Sequence, residues 1–334
     1  MTDQQLPSPA SPAERPGDED VSLRQRVVCG ALFLAAVAAV VHARYATYHQ
    51  MSDMLRVSLP WMLGGILLAF LAGSLDPLRR NLVAPGGGTP LRTAEKWFLL
   101  ALVAGGGLVR LLSLDRFPPG GFFDEVQNIL VADGILAGDR PVFVGGMTQM
   151  PALVFYLLAA VVKVAGRSVA TVRGLSAVFG TLTLPAFYFL ARRAFAWPVA
   201  AATAVLLAGS RWHITFSRVG FATIVGPLLE VVAVLWLWKA METGKLKHYL
   251  GLGLVMGIGL QTYYSFNLFP GVLLVAVVSY AGGRGWRNFG RELWPIAKGL
   301  ACSVLLAAVL LIPLARFALE NREAFFERSN AVAL

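Results

Sequence analysis

Asp124 and Glu125 stand side by side at the start of a helical pattern, directly after Pro118-Pro119-Gly120-Gly121-Phe122-Phe123. Adjacent carboxylates behind a rigid turn have two chemical uses. A carboxylate held at a water boundary serves as a general base. The other use is local, with Asp124 as an N-cap and Gln127 three residues on completing a capping box. The spacing alone leaves both open. Successive side chains on a helix diverge by about 100°, so Glu125 is expected to orient the loop or bind an acceptor rather than share the proton transfer.

Three further groups carry chemistry-bearing side chains. Trp212-His213-Ile214-Thr215-Phe216-Ser217-Arg218 sets an imidazole and a guanidinium near the end of an apolar run, where each serves either as an anion ligand or as a membrane-boundary residue. Tyr263 and Tyr264 sit where interfacial aromatics are common. Glu230 lies within Pro227-Leu-Leu-Glu-Val-Val-Ala-Val, and a carboxylate in an apolar run either has a structural partner or a function.

The elements that must position these residues are membrane helices. Of 334 residues, 57% are hydrophobic and 14% charged, with a mean hydropathy of +0.64, against about 25% charged in soluble domains. That excludes a soluble globular protein. The net charge of +10 lies mostly in short segments between apolar runs, a membrane-topology pattern rather than a nucleic-acid-binding face. Cys29 and Cys302 sit in separate apolar runs and build neither a disulfide framework nor a zinc site.

Residues 1–22, rich in Pro, Ser, Asp and Glu, are expected to be a disordered cytoplasmic tail. Residues 23–96 are expected to hold two transmembrane helices and a basic cytoplasmic loop. Apolar runs at 27–43, 57–74, 97–112, 151–166, 170–191, 197–216, 219–238, 249–264, 268–281 and 297–319 predict an all-α integral membrane protein, a polytopic bundle of about nine to ten spans. Arg79, Arg80, Arg92 and Lys96 put 75–96 inside, whereas Asp115, Asp124, Glu125, Asp133 and Asp139 put 113–150 outside. Lys239, Lys245 and Lys247 should again be inside, and four full crossings between 150 and 239 conflict with that. The short run 151–166 is the first choice for one that does not cross. Segment 113–150 is expected to fold as a loop on the membrane, with an amphipathic helix presenting Val126, Ile129, Leu130 and Leu136 on one face. Gly253 and Gly257, at small-xxx-small spacing, predict close helix packing.

Phe117-Pro118-Pro119-Gly120-Gly121-Phe122-Phe123-Asp124-Glu125 resembles the Pro-Pro-Gly-x-x-x-Asp-Glu signature opening the first external loop of GT-C glycosyltransferases. Bacterial relatives of the protein O-mannosyltransferases and aminoarabinose transferases are the nearest in pattern. Val172-Arg173-Gly174-Leu175-Ser176, Ala191-Arg192-Arg193-Ala194-Phe195, the Trp212–Phe221 stretch and Gly259-Leu260-Gln261-Thr262-Tyr263-Tyr264-Ser265 agree in order, so the resemblance runs over about 97–330. It implies an inverting transfer of a sugar from a polyprenyl-phosphate carrier to a glycan, lipid or protein acceptor on the extracytoplasmic face of the cell membrane. It makes Asp124 the base, with Glu125 beside it, and Arg218, His213, Tyr263, Tyr264 and Gln149 candidate ligands of the donor phosphate or sugar. No cofactor is implied, although Asp124 and Glu125 together could loosely hold a divalent ion.

The chain departs from the pattern at Val126-Gln127, where relatives carry Ala-Tyr, at Asn267, where they carry arginine, and at Gly146–Pro151, where they often read Gly-Arg-Glu-Pro. Relatives continue beyond the equivalent of Asn321–Arg328, so the resemblance implies a GT-C-like domain over 97–334 that is C-terminally truncated or split. Two readings compete: a transporter or flippase with Glu230 as coupling carboxylate, and a non-catalytic membrane subunit. Asp18-Glu19-Asp20, in the expected tail, gives no support for a nucleotide-sugar site.

Overall fold

The computed structural model describes residues 89–146, 148–283 and 289–332, with eight helical positions between 28 and 42. The expectations for 1–22, for most of the 27–43 run and for the 57–74 span lie outside the described residues. The chain divides into Met1–Val83 and Ala84–Leu334, and the fold below is that of the second unit.

It is all-α apart from one two-stranded hairpin. The helices are α1 (Thr93–Leu111), α2 (Phe123–Ala137), α3 (Leu153–Ala165), α4 (Val169–Ala194), α5 (Trp197–Gly209), α6 (Arg211–Arg218), α7 (Val225–Thr243), α8 (Leu246–Gly259), α9 (Phe269–Gly283), α10 (Phe289–Glu320) and α11 (Arg322–Val332). Strands β1 (Phe143–Val144) and β2 (Met150–Pro151) pair antiparallel, Phe143 opposite Pro151. Helices Val169–Ala194, Ala222–Thr243 and Leu293–Glu320 are long and apolar enough to cross a membrane. Among the described residues this is the make-up of an all-α membrane protein.

Side-chain contacts fix which helix ends meet. Arg92, at the start of α1, lies beside Glu95, which pairs with Arg192 at the end of α4. Arg193 pairs with Glu242 at the end of α7 at 2.6 Å, and Thr243 meets His248 at the start of α8. At the opposite end, Arg173 near the start of α4 reaches Leu114 and Glu125, and Arg218 at the end of α6 reaches Leu112 just beyond α1. Helix α4, 26 residues long, spans about 39 Å at 1.5 Å per residue, close to bilayer thickness.

Helix lengths bear on the conflict over 151–166. Helix α3 has 13 residues, about 20 Å, too short to cross. It packs through Leu158, Ala159 and Val162 onto Ile129 and Ala132 of α2 and Val172 of α4. Between 150 and 239 the helices Val169–Ala194 and Ala222–Thr243 are long and apolar enough to cross. The predicted 197–216 span is broken at Ser210, and in the turn that follows His213 and Arg218 have partners on α1.

Helix α2 forms as expected, with a different packed face. Glu125, Asn128, Ile129 and Ala132 are buried, whereas Val126 and Leu130 are about half exposed. The polar pair faces inward because both side chains have partners there, so of the apolar stripe Ile129 is buried while Val126, Leu130 and Leu136 stay outside. The glycine seam is tight: a Cβ on Gly253 would stand 2.5 Å from the Ser303 carbonyl oxygen of α10, and one on Gly257 would stand 3.2 Å from the Ala307 Cα.

Candidate functional site

The loop before α2 is clamped by one guanidinium. Arg173 is fully buried, and its Nε and Nη2 meet the two Glu125 oxygens at 2.7 and 2.9 Å. Its remaining donors go to the carbonyls of Leu114, Pro118 and Gly120 at 2.6–2.9 Å. Gly120 supplies its carbonyl from φ +77°, a conformation that glycine tolerates and other residues rarely adopt. Glu125 also accepts from the backbone N–H of Phe122 and of Gly220, both at 2.9 Å. Burial pushes its carboxyl up, but Arg173 and the two N–H donors outweigh this and hold it below the ordinary carboxylate value.

The helix cap is therefore Glu125 reaching back to Phe122, and Asp124 is not the N-cap that the spacing allowed. Asp124 is exposed, and no hydrogen bond among the described residues uses its carboxylate. It faces a cavity of about 650 Å³ whose walls include Gln127, Gln149, Thr223, Tyr263 and Glu327. Asn128, on the same wall, is fixed by donating to the Gly220 carbonyl at 2.8 Å. A divalent ion held jointly by Asp124 and Glu125 would have to displace the donors that Glu125 already holds.

Of the residues predicted from sequence, Asp124, Gln149 and Tyr263 come together at this cavity and the others stand back from it. Arg218 donates to the carbonyls of Val109, Leu112 and Phe117 at 2.5–3.0 Å, tying α6 to the end of α1. His213 is 2% exposed, its Nδ1 3.0 Å from Nη2 of the fully buried Arg110. Tyr264 packs against the cluster of Met150, Ala152 and Phe155 beneath the hairpin. Glu230 lies beside Gly226 and Ser265, outside the cavity wall.

Sequence reasoning missed Arg110, Arg173 and Glu327. For the arginines a signal existed, since a guanidinium inside an apolar run needs a partner, and Arg173 stood in a motif already singled out. Glu327 had no local signal. It reaches the cavity because α11 folds back, with Phe143 of β1 lying 5.4 Å from Phe317 and 5.1 Å from Phe325 between ring centroids. Gln149 Nε2 then donates to Glu327 Oε2 at 2.6 Å.

Residues 149–312 match the family of dolichyl-phosphate-mannose-protein mannosyltransferases. The matched stretch runs from Gln149 through most of α10, and α2 with Asp124 precedes it. No curated protein and no solved structure gives a significant match. The similarity to these mannosyltransferases covers just under half of the chain, and it supports a membrane glycosyltransferase.

Proposed function

We propose that this mannosyltransferase-like membrane chain transfers a sugar, with inversion, from a polyprenyl phosphate to an acceptor hydroxyl at the cavity under α2, with Asp124 as general base. One observation carries the assignment. Of two adjacent carboxylates, Glu125 is locked by four donors, whereas Asp124 is uncommitted and faces the cavity.

In the reaction, the acceptor oxygen attacks the anomeric carbon as its proton passes to Asp124. The bond from that carbon to the phosphate oxygen breaks, and polyprenyl phosphate leaves with the bonding pair. Charge developing on the phosphate calls for hydrogen-bond donors at the cavity wall. Tyr263 is placed to supply one, whereas the guanidinium of Arg218 is taken up by carbonyls and His213 is enclosed behind the wall. Their part is to hold the loop ends and α6 in register. The polyprenyl tail lies against an apolar cavity of about 370 Å³ between α8, α9 and α10, lined by Leu252, Leu273, Val277 and Val304 among others.

The cavity opens on the extracytoplasmic face. Arg192, Arg193, Lys239, Lys245 and Lys247 cluster at the opposite helix ends, which is the cytoplasmic end by the positive-inside rule. The test compares membranes bearing the parent chain with membranes bearing Asp124→Asn, using labelled sugar on a panel of polyprenyl phosphates and endogenous acceptors. Transfer by the parent and a loss of about 10²–10⁴ in rate with Asp124→Asn is expected. Equal transfer by both contradicts the assignment of the base, and no transfer by either, with both inserted, favours a non-catalytic subunit.

A further inference from the structure

The cavity has a second carboxylate that no motif marks. Glu327 belongs to α11, beyond the 149–312 match, and enters the wall that also holds Asp124. Two features fix it there. The Phe317–Phe143–Phe325 stack holds the α10–α11 corner against the hairpin. Gln149 then holds one carboxylate oxygen at 2.6 Å from a backbone with φ +41°, a strained conformation for a residue other than glycine. Strain of this kind persists where surrounding structure over-determines it, and here the strained residue presents its amide to Glu327. The other oxygen, Oε1, takes part in no hydrogen bond among the described residues.

We infer that Glu327 reads the sugar being transferred, its free oxygen accepting hydrogen bonds from ring hydroxyls while Gln149 fixes its orientation. This rests on the transferase reading above. The sugar must lie within reach of the base, and the cavity of about 650 Å³ has room for a sugar ring and carries both Asp124 and Glu327 in its wall. A carboxylate is the strongest acceptor for a hydroxyl and discriminates sharply against a ring lacking it. Glu327 is a specificity residue, and the proton transfer stays with Asp124.

The experiment uses the full chain in lipid nanodiscs with polyprenyl-phosphate mannose as probe. It measures equilibrium binding, the donor and acceptor KM, and kcat, for the parent, Glu327→Gln, Gln149→Ala and Asp124→Asn. The expected result for Glu327→Gln is about 10- to 100-fold weaker binding and a matching rise in donor KM, with kcat changed far less and the melting temperature unmoved. Gln149→Ala should weaken binding less and be non-additive with Glu327→Gln, while Asp124→Asn keeps binding and loses kcat. Parent-like binding and KM in Glu327→Gln overturn this inference and leave the transferase reading standing. A change confined to the acceptor KM overturns the assignment to the sugar. Binding that depends on Glu327 with no turnover by the parent overturns the transferase reading alone, and no binding by the parent overturns both.

Discussion

Helix α4 carries buried arginines near its two ends, and the two ends use the same ion pair differently. Arg173 and Arg192 are 19 residues apart, about 28 Å along the axis. Arg192 grips Glu95 of α1, which also accepts from Tyr188 at 2.6 Å, and reaches the carbonyl of Thr89. That cluster joins the starts and ends of helices and leaves no carboxylate uncommitted. Arg173 grips Glu125 and three loop carbonyls. There the neighbouring residue, Asp124, is left facing the cavity. One clamp closes a bundle, and the other aims a side chain by holding its neighbour.

The largest separation between the two ends should come from removing Glu125. Glu125→Ala leaves Arg173 buried without its counter-charge and is expected to lower unfolding stability by about 3–5 kcal/mol. It should also lower transfer per folded molecule, because the start of α2 loses its anchor. Denaturant titration in detergent, with activity normalised to the folded fraction, measures both. Arg192→Met should lie at the lower end of the same range, about 3 kcal/mol, because its side chain is 8% exposed. Its transfer per folded molecule should be unchanged. A fall comparable to that of Glu125→Ala would erase the distinction between the clamps.

A third region, without charges, sharpens the contrast. Gly253→Ala pushes a methyl onto the Ser303 backbone and should cost about 1–3 kcal/mol with no effect on specific activity.

Much of the scaffold was legible in the sequence, because long apolar runs and basic connections have few solutions in a bilayer. Helices α4, α7 and α10 lie on three predicted runs, and the short run 151–166 forms a helix of 13 residues. The break at Ser210 was hidden, since hydropathy averages over one polar turn whose partners sit on α1. The site was legible only where chemistry and sequence neighbours coincide. Asp124 and Glu125 were visible as a pair, and their different surroundings follow from Arg173, 48 residues from Glu125. Glu327 depends on a corner 178 residues from Gln149, and no local pattern encodes such a contact. Arg218 and His213 drew attention as cations near a boundary, yet their geometry is that of braces.

The central claim is that the reacting carboxylate is Asp124 and that the far clamp serves only the fold. Its most direct measurement is the rate of labelled-sugar transfer per folded molecule from one accepted polyprenyl-phosphate donor, taken side by side for the parent, Asp124→Asn and Arg192→Met. The account predicts a loss of about 10²–10⁴ for Asp124→Asn and a parent-like rate for Arg192→Met. Parent-like transfer by Asp124→Asn would contradict it.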